Sequence, residues 1–400
     1  MKDRIKYLFL YAKSYNSLVI SFFLFLLVNG LFICKYTSRL NINSTLIVLM
    51  YVCGIFLLFF FPFKKIVGER NKKKNILIFW LTALLIIIGI LIAHSLINPF
   101  TIQVDRWSAI HNFIDALLRG EYPYLVQTHL GGYGSPFPFW QFLHIPFYLL
   151  GDVGLGMLFF FIILVLSLKG ILKNYGKAVI YLLLLFLSPA FWYEVLVRSD
   201  LLYNFIFCFV IISFIHKNHL VIKQNYYLMG TICGLLLSSR LTIIIPFAIF
   251  LLTDFLEANF KEKFKFLLAA SSAFTLTFLP FLLKNSSALL FFEYNPFVLQ
   301  TRQGSFIELI GLTILILYFG LKSSKNISKQ MYYTSISIVL FVGFTFLHRM
   351  ITDNFSESLF SSMYDITYFN MALPFIIYSI VMEFNNKKVN IVFEQVDTLD

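Results

Sequence analysis

The chain has 400 residues, of which 59% are hydrophobic and only 13% charged, and its mean hydropathy is +0.81. A soluble fold of this length could not bury so much apolar surface. The net charge of +12 would suit a nucleic-acid partner, but the basic residues lie in short loops between apolar runs. The composition therefore excludes a soluble enzyme or a nucleic-acid-binding protein and predicts an all-α polytopic membrane protein.

Apolar segments long enough to cross about 30 Å of hydrocarbon recur along the chain. They lie near residues 14–34, 44–62, 75–97, 154–172, 178–195, 200–216, 226–253, 264–284, 305–321, 331–348 and 364–383. The polar triplet Ser238-Ser239-Arg240 predicts that 226–253 is broken into two short helices around a polar interior. This pair brings the expected number to about 12 crossings, two of them short.

The positive charges predict the topology, because short cytoplasmic loops are rich in lysine and arginine. Basic residues within 2–13 and 64–74 place the N-terminus and the second loop in the cytoplasm, so that residues 98–150 lie outside. The broken pair keeps the lysines of 261–265 and also Lys387 and Lys388 in the cytoplasm. Both termini are expected to be cytoplasmic, and the basic, then apolar N-terminus is expected to be an uncleaved signal-anchor.

On this topology lysine and arginine lie on opposite sides of the membrane. Of 23 lysines, 21 face the cytoplasm, whereas seven of nine arginines face outside. These seven are Arg39, Arg106, Arg119, Arg198, Arg240, Arg302 and Arg349. A guanidinium binds phosphate oxygens through two parallel hydrogen bonds, so the set predicts a phosphate-bearing ligand at the outer face. The alternative is that single arginines pair with nearby acids such as Glu194, Asp200, Asp353 or Glu357.

The most polar stretch, QVDRWSAIHNFIDALLRGEYPY (103–124), follows the apolar run 75–97. Its apolar side chains recur at spacings of three and four, which predicts an amphipathic helix over 105–119 that ends at Gly120. We expect this helix to lie in the outer membrane interface. The alternative is that this helix is only an amphipathic connector between spans. That alternative leaves Asp105 unexplained, because a carboxylate so close to a membrane span is costly.

The next stretch, GGYGSPFPFWQFLHIPFYLLG (131–151), is rich in aromatic residues. Two prolines flank Phe137 and oppose a regular helix there. The part from about 139 to 150 is too short to span, so it is expected to dip into the bilayer and return. Its aromatic rings either stack on sugar faces or form the interfacial belt common in membrane proteins.

These segments resemble the membrane glycosyltransferases of the GT-C superfold, especially the polyprenol-dependent alpha-1,2-mannosyltransferase-like group. The resemblance rests on Asp105 outside an early span, on "LLRGEYPY" and on "IPFYLLG". Two later segments also fit, SPAFWYEVLVRSDLLYNFIF (188–207) and MGTICGLLLSSRLTIIIPFAIFLL (229–252), and the match covers about 98–255. It implies one domain with an N-terminal helix pair (1–74), a catalytic part (75–255) and C-terminal helices (256–400).

The resemblance implies transfer of a sugar, mannose or another hexose, from a polyprenyl-phosphate donor to an acceptor hydroxyl outside the cell membrane. Asp105 matches the catalytic base of the superfold. Relatives often have a second acid two residues later, where this chain has Trp107, so metal participation is not supported. No spacing of His111, His129 or the cysteines supports a metal site, so a divalent metal is left as an open alternative without a ligand motif, and no cofactor is assigned.

The chemistry assigns further residues, since a departing phosphate needs cationic partners. Arg240 is the first choice, and Arg302, Arg198 and Arg349 follow. For the sugar or acceptor we expect Asp115, Tyr122, Tyr124 and Trp140, although Asp115 could instead pair with Arg119.

Two other functions remain open at the sequence level. A flippase or transporter of lipid-linked sugars would also use outer arginines, but it usually has internal repeats, which this chain lacks. An O-antigen polymerase or ligase usually has its large polar loop late in the chain, whereas here the longest is 98–150. The expected partners are the lipid-linked donor, a glycan or lipid-linked acceptor and membrane lipids, with no nucleic acid.

Overall fold

The computed structural model describes residues 2–40, 43–60, 72–302, 304–361 and 364–384, and among these the regular structure is helical. Lys64, Lys65, Arg70, Lys387 and Lys388, which the predicted topology uses, lie outside the described residues. The helices are α1 (Lys2–Ser38), α2 (Ser44–Phe60), α3 (Lys72–Leu96), α4 (Arg106–Leu118), α5 (Pro138–Leu149), α6 (Leu155–Leu172), α7 (Tyr175–Phe186), α8 (Pro189–Leu196), α9 (Leu201–Lys217), α10 (Ile222–Leu237), α11 (Ile244–Glu257), α12 (Phe260–Leu290), α13 (Pro296–Thr301), α14 (Phe306–Ser323), α15 (Ile327–Thr352), α16 (Phe355–Phe360) and α17 (Leu373–Phe384).

Seven of the described helical segments are long and apolar enough to cross a membrane, and a bent pair raises this number to eight. They are Asn16–Ser38, Lys72–Leu96, Leu155–Leu172, Phe260–Leu290, Phe306–Ser323, Ile327–Thr352 and Ile366–Glu383. Two shorter apolar helices cover Ser44–Leu58 and Leu201–Lys217. The chain is thus a multi-pass α-helical membrane protein, as the composition predicts.

Two breaks separate the helices of predicted spans. The segment 226–253 breaks where its polar triplet predicts, because α10 ends at Leu237 and α11 begins at Ile244. The segment 178–195 was expected to be continuous, but α7 and α8 meet at an angle of 63°. Pro189 is the first residue of α8, and a proline is compatible with that position because its missing N–H has no helical partner there.

The chain divides into two compact units, the first formed by Met1–Ile86, Leu166–Trp192 and Met331–Asp400. In this unit α1 packs against α2 and α17, and α17 packs against α7. The buried Asn29 of α1 accepts hydrogen bonds from the Ser188 hydroxyl (2.6 Å) and the Ala190 N–H (3.2 Å). This side chain therefore satisfies polar groups that the bend between α7 and α8 exposes.

The second unit comprises Ile87–Val165 and Tyr193–Gln330. Its closest helix packing joins α10 to α12, because Gly230 and Gly234 bring the two backbones together. A Cβ at either glycine would lie under 3.0 Å from the backbone of Phe266 or Ala270. Small residues four apart are a common way to pack membrane helices closely.

The amphipathic helix α4 belongs to the second unit and confirms the predicted periodicity. Trp107, Ile110, Phe113 and Ile114 are buried, whereas the predicted apolar-face residue Leu118 is 54% exposed. Gly120 follows with φ +76°, a conformation that favours glycine and ends the helix. Short α5, with 12 residues, packs against α4.

Candidate functional site

Asp105 precedes the first residue of α4, but its carboxylate does not cap the helix. Instead the half-buried side chain accepts a hydrogen bond from the Thr128 hydroxyl, with 2.9 Å between Oγ1 and Oδ2. No ion pair joins Asp105 to a side chain of the described residues. The carboxylate is held by one neutral donor and keeps acceptor positions for another group, which is what a general base requires.

The turn 127–133 positions this donor. Gln127 and Tyr133 are paired as in an antiparallel bridge, and the Thr128 N–H donates to the Gly132 carbonyl at 2.8 Å. The Thr128 hydroxyl also accepts the Gly132 N–H at 3.1 Å. A Cβ at Gly132 would lie 2.9 Å from Oδ2 of Asp105, so the glycine allows the turn to approach the carboxylate.

Arg240 and Asp200 form a buried ion pair. Nη2 of Arg240 lies 2.8 and 2.7 Å from the two carboxylate oxygens, and both side chains are less than a tenth exposed. The buried Nε of Arg240 has no hydrogen-bond partner among the described residues. Because an unpaired buried donor is costly, this N–H is a position where a ligand oxygen would be stabilised.

Arg106 connects this pair with Asp105. Its Nη1 donates to the Ser199 hydroxyl at 2.9 Å, and Ser199 precedes Asp200 in the chain. The buried Asp200 carboxylate therefore lies within the electrostatic reach of two guanidinium groups, those of Arg240 and Arg106.

The helix break that contains Arg240 is tied to the start of α5. The N–H groups of Phe137 and Phe139 donate to the carbonyls of Ser239 (3.1 Å) and Ser238 (3.0 Å). The Gln300 side chain donates to the Ser135 carbonyl and accepts the Leu241 N–H, both at 2.7 Å. These backbone groups at the break are thus paired with protein, as a helix break within an apolar segment requires.

Arg198 takes part in a different cluster. Its Nη1 pairs with Asp152 at 2.7 Å, and its Nη2 donates to the carbonyls of His94 and Ile97 at the end of α3. Asp152 also accepts the Trp107 indole N–H at 2.7 Å. Arg198 and Asp152 therefore join the end of α3 to α4 and hold the helix that begins beside Asp105.

The predicted sugar-binding residues differ in their surroundings. Asp115 pairs with Arg119 at 2.8 Å and accepts the Tyr148 hydroxyl at 2.9 Å. Tyr124 and Trp140 are buried, and Trp140 stacks on Phe160 with 4.9 Å between ring centroids. Neither ring is on the surface, where a sugar could stack on it.

Tyr122 is half-buried, and its hydroxyl has no hydrogen-bond partner among the described residues. Burial raises the pKa of Tyr122 to about 12, so the phenol stays neutral at physiological pH. It can donate a hydrogen bond but does not act as a base there.

The two remaining predicted phosphate ligands are exposed. Arg349 of the first unit lies 3.4 Å from Asp353, one of the acids that the alternative interpretation names. Arg302 follows α13 in the second unit and makes no ion pair within the described part of the chain. Within the described residues of the second unit, the contacts join Arg240, but not Arg302, to the cluster around Arg106.

Two residues that connect Asp105 to its surroundings were not selected from the sequence. Arg106 was counted among the outer arginines without a role, and Thr128 lies in a loop with no motif. Only the position of Arg106 beside Asp105 could have singled it out. Thr128 approaches Asp105 through a turn that the sequence does not reveal.

Histidines and cysteines provide no metal site in the described ranges, where no group of three or more potential ligands meets. His129 contacts the Ser108 hydroxyl at 2.7 Å and the Ile102 carbonyl at 3.0 Å. His111 stacks on Trp107 with 4.5 Å between ring centroids. Both rings contribute to the packing of α4.

Comparison with protein-family models, with curated proteins and with solved structures finds no match.

Proposed function

We propose that the protein is a GT-C-type glycosyltransferase that transfers a hexose from a polyprenyl-phosphate donor to an acceptor hydroxyl at the extracytoplasmic face of the cell membrane. One observation carries the proposal: Asp105 precedes Arg106 of an arginine cluster in which Arg240 has a buried N–H without an acceptor among the described residues. A carboxylate close in the chain to such cations suits this reaction.

In the proposed reaction the acceptor oxygen attacks the anomeric carbon while its proton passes to the Asp105 carboxylate. The bond between the anomeric carbon and the phosphate oxygen breaks, and the electron pair leaves with the lipid phosphate. Arg240 and Arg106 stabilise the charge that develops on this phosphate. Asp200 orients Arg240 through the 2.7 Å contact, so the guanidinium is in place before the donor binds.

The proposal includes about 12 crossings with both termini in the cytoplasm. Besides the seven long spans, it counts α2, the bent pair α7–α8, α9 and the pair α10–α11. The short α10 and α11 carry the break at Ser238–Arg240, which lies near the outer membrane face in this topology. The lipid phosphate would be found at that depth.

The test is transfer by the purified protein from a panel of radiolabelled polyprenyl-phosphate sugars. We expect label in product with the wild-type protein and a loss of at least a hundredfold in Asp105→Asn, since general-base catalysis contributes roughly 10²–10⁴ in rate. The matched control is Glu121→Gln, which removes a carboxylate charge just after the same helix, where Glu121 lies 3.3 Å from Arg119. We expect it to retain most of the activity.

Full turnover by Asp105→Asn would refute the base assignment. Absence of transfer with every donor, together with movement of the intact lipid-linked sugar across vesicle membranes, would instead establish the transporter alternative. Elongation of a lipid-linked repeat unit as a whole would establish the polymerase alternative.

A further inference from the structure

A partly exposed group of three aromatic rings includes Tyr133, the last residue of the turn that contacts Asp105. We call Tyr133, Phe292 and Tyr294 the aromatic platform. Tyr133 and Tyr294 stack with 5.3 Å between centroids and 12° between planes, and Phe292 meets Tyr133 edge-on at 5.0 Å. Tyr294 is 41% exposed, and the other two rings are half-buried.

The platform shares a turn with the residue that donates to Asp105. Thr128 of this turn donates to Oδ2 of Asp105 at 2.9 Å, and Tyr133 directly follows Gly132, at which a Cβ would lie 2.9 Å from the same oxygen. Consecutive Cα atoms are about 3.8 Å apart, so the backbone of Tyr133 begins one residue from this approach to the candidate base. A molecule lying on the platform could therefore present a group to Asp105.

The polar groups at the platform edge suit hydroxyl groups rather than phosphate. The exposed Gln127 amide donates to the Tyr133 hydroxyl at 3.2 Å and keeps its carbonyl oxygen for other donors. Glu293, between two platform residues in the chain, is exposed and makes no ion pair with a described side chain. Aromatic faces flanked by an amide and a carboxylate offer apolar contact and hydroxyl recognition together.

We infer that the aromatic platform is the acceptor subsite and that it binds a neutral pyranose ring of the acceptor glycan. This inference rests on the proposed function and adds the chemical class of the acceptor. The arginine cluster provides the contacts for the donor phosphate, and the platform, whose three rings carry no charge, receives the uncharged sugar. Asp105 precedes Arg106 in the chain and accepts a hydrogen bond from the turn that ends at Tyr133, which suits a base between donor and acceptor.

The binding test uses saturation-transfer NMR with methyl pyranosides of mannose, glucose and galactose. The protein is held in phospholipid nanodiscs, since sugar-based detergents would compete. We expect wild-type protein to bind at least one glycoside and Tyr294→Ala to weaken this binding by roughly fivefold or more, given the size of an aromatic stacking contact. Tyr133→Phe, which keeps the ring, should bind within about twofold of wild type.

The matched control is Tyr318→Ala, which removes a comparably exposed tyrosine from α14. Binding that is absent in wild type, or equal in Tyr294→Ala and Tyr318→Ala, would overturn the inference and leave the platform an ordinary interfacial belt.

The transfer assay distinguishes the proposed acceptor subsite from the proposed transferase activity. Transfer by wild type with an unchanged acceptor KM in Tyr294→Ala refutes the platform alone, whereas sugar binding through Tyr294 without any transfer refutes the transferase alone.

Discussion

Arg240 is a buried cation whose charge is balanced by a carboxylate while one of its donors is unused. Asp200 contacts a single terminal nitrogen, and the Nε–H group has no partner within the described residues. A purely structural ion pair is most stable when every donor is satisfied, because the interior does not offer water as a substitute. The unused N–H is the residue-scale evidence for a ligand at this position.

Removing Arg240 alone should be more harmful to stability than removing the pair. Arg240→Met leaves Asp200 as a buried charge, and breaking a buried pair in this way destabilises by about 3–5 kcal/mol. Adding Asp200→Leu removes the stranded charge, so the double variant should recover most of that loss. The measurement is the midpoint of thermal unfolding in nanodiscs.

The same variants test the ligand role of Arg240. Both should show at least a tenfold higher KM for the polyprenyl-phosphate donor, because neither has the guanidinium. A double variant that is stable but uses the donor as wild type does would remove Arg240 from the site.

At the scale of elements, the packing of α10 against α12 determines where the break with Arg240 lies. Gly230 and Gly234 place the α10 backbone directly on that of α12. One turn later, the Ser238 hydroxyl bonds to Thr277 of α12, and the N–H groups of Phe137 and Phe139 pair with the freed carbonyls. Close packing and paired backbone together keep Arg240 in one position.

A methyl group at Gly234 should disturb this arrangement. In Gly234→Ala the Cβ would overlap the Ala270 carbonyl, and overpacking of this kind destabilises by about 1–3 kcal/mol. Thermal unfolding should show the loss, and donor KM should rise as Arg240 shifts. The matched control is Gly311→Ala on α14, where a Cβ meets nothing within 4 Å and the helix should become slightly more stable. Equal stability of the two variants would contradict close packing at Gly234.

The elements differ in how far local sequence predicts them. The period of apolar residues predicted α4, and the polar triplet at 238–240 predicted the break before α11, because both signals are local. The bend between α7 and α8 was missed although Pro189 is a local signal. Its stabilising partner, Asn29, is distant in sequence, so the hydrophobic run alone suggested one continuous helix.

For the whole molecule, the proposed topology can be tested by single cysteines in a background without Cys34, Cys53, Cys208 and Cys233, all of which are free thiols. Exposed positions Glu121 and Lys261 are suitable sites. With a membrane-impermeant maleimide on intact cells, Glu121→Cys should react at once and Lys261→Cys only after permeabilisation. Labelling of Lys261→Cys from outside would mean that α10 and α11 do not form two crossings.

Composition was enough to predict the class of the protein, because a mean hydropathy of +0.81 requires a multi-pass helical chain whatever its details. Local patterns also singled out Asp105 and Arg240 as charges unusually close to apolar segments. The residues that accompany these two charges are known from the fold alone. Arg106, Ser199 and Asp200 form one cluster, and Tyr133 stacks on Tyr294, through contacts between residues far apart in the chain. Such contacts depend on how helices pack and turns close, and local patterns in the sequence do not predict them.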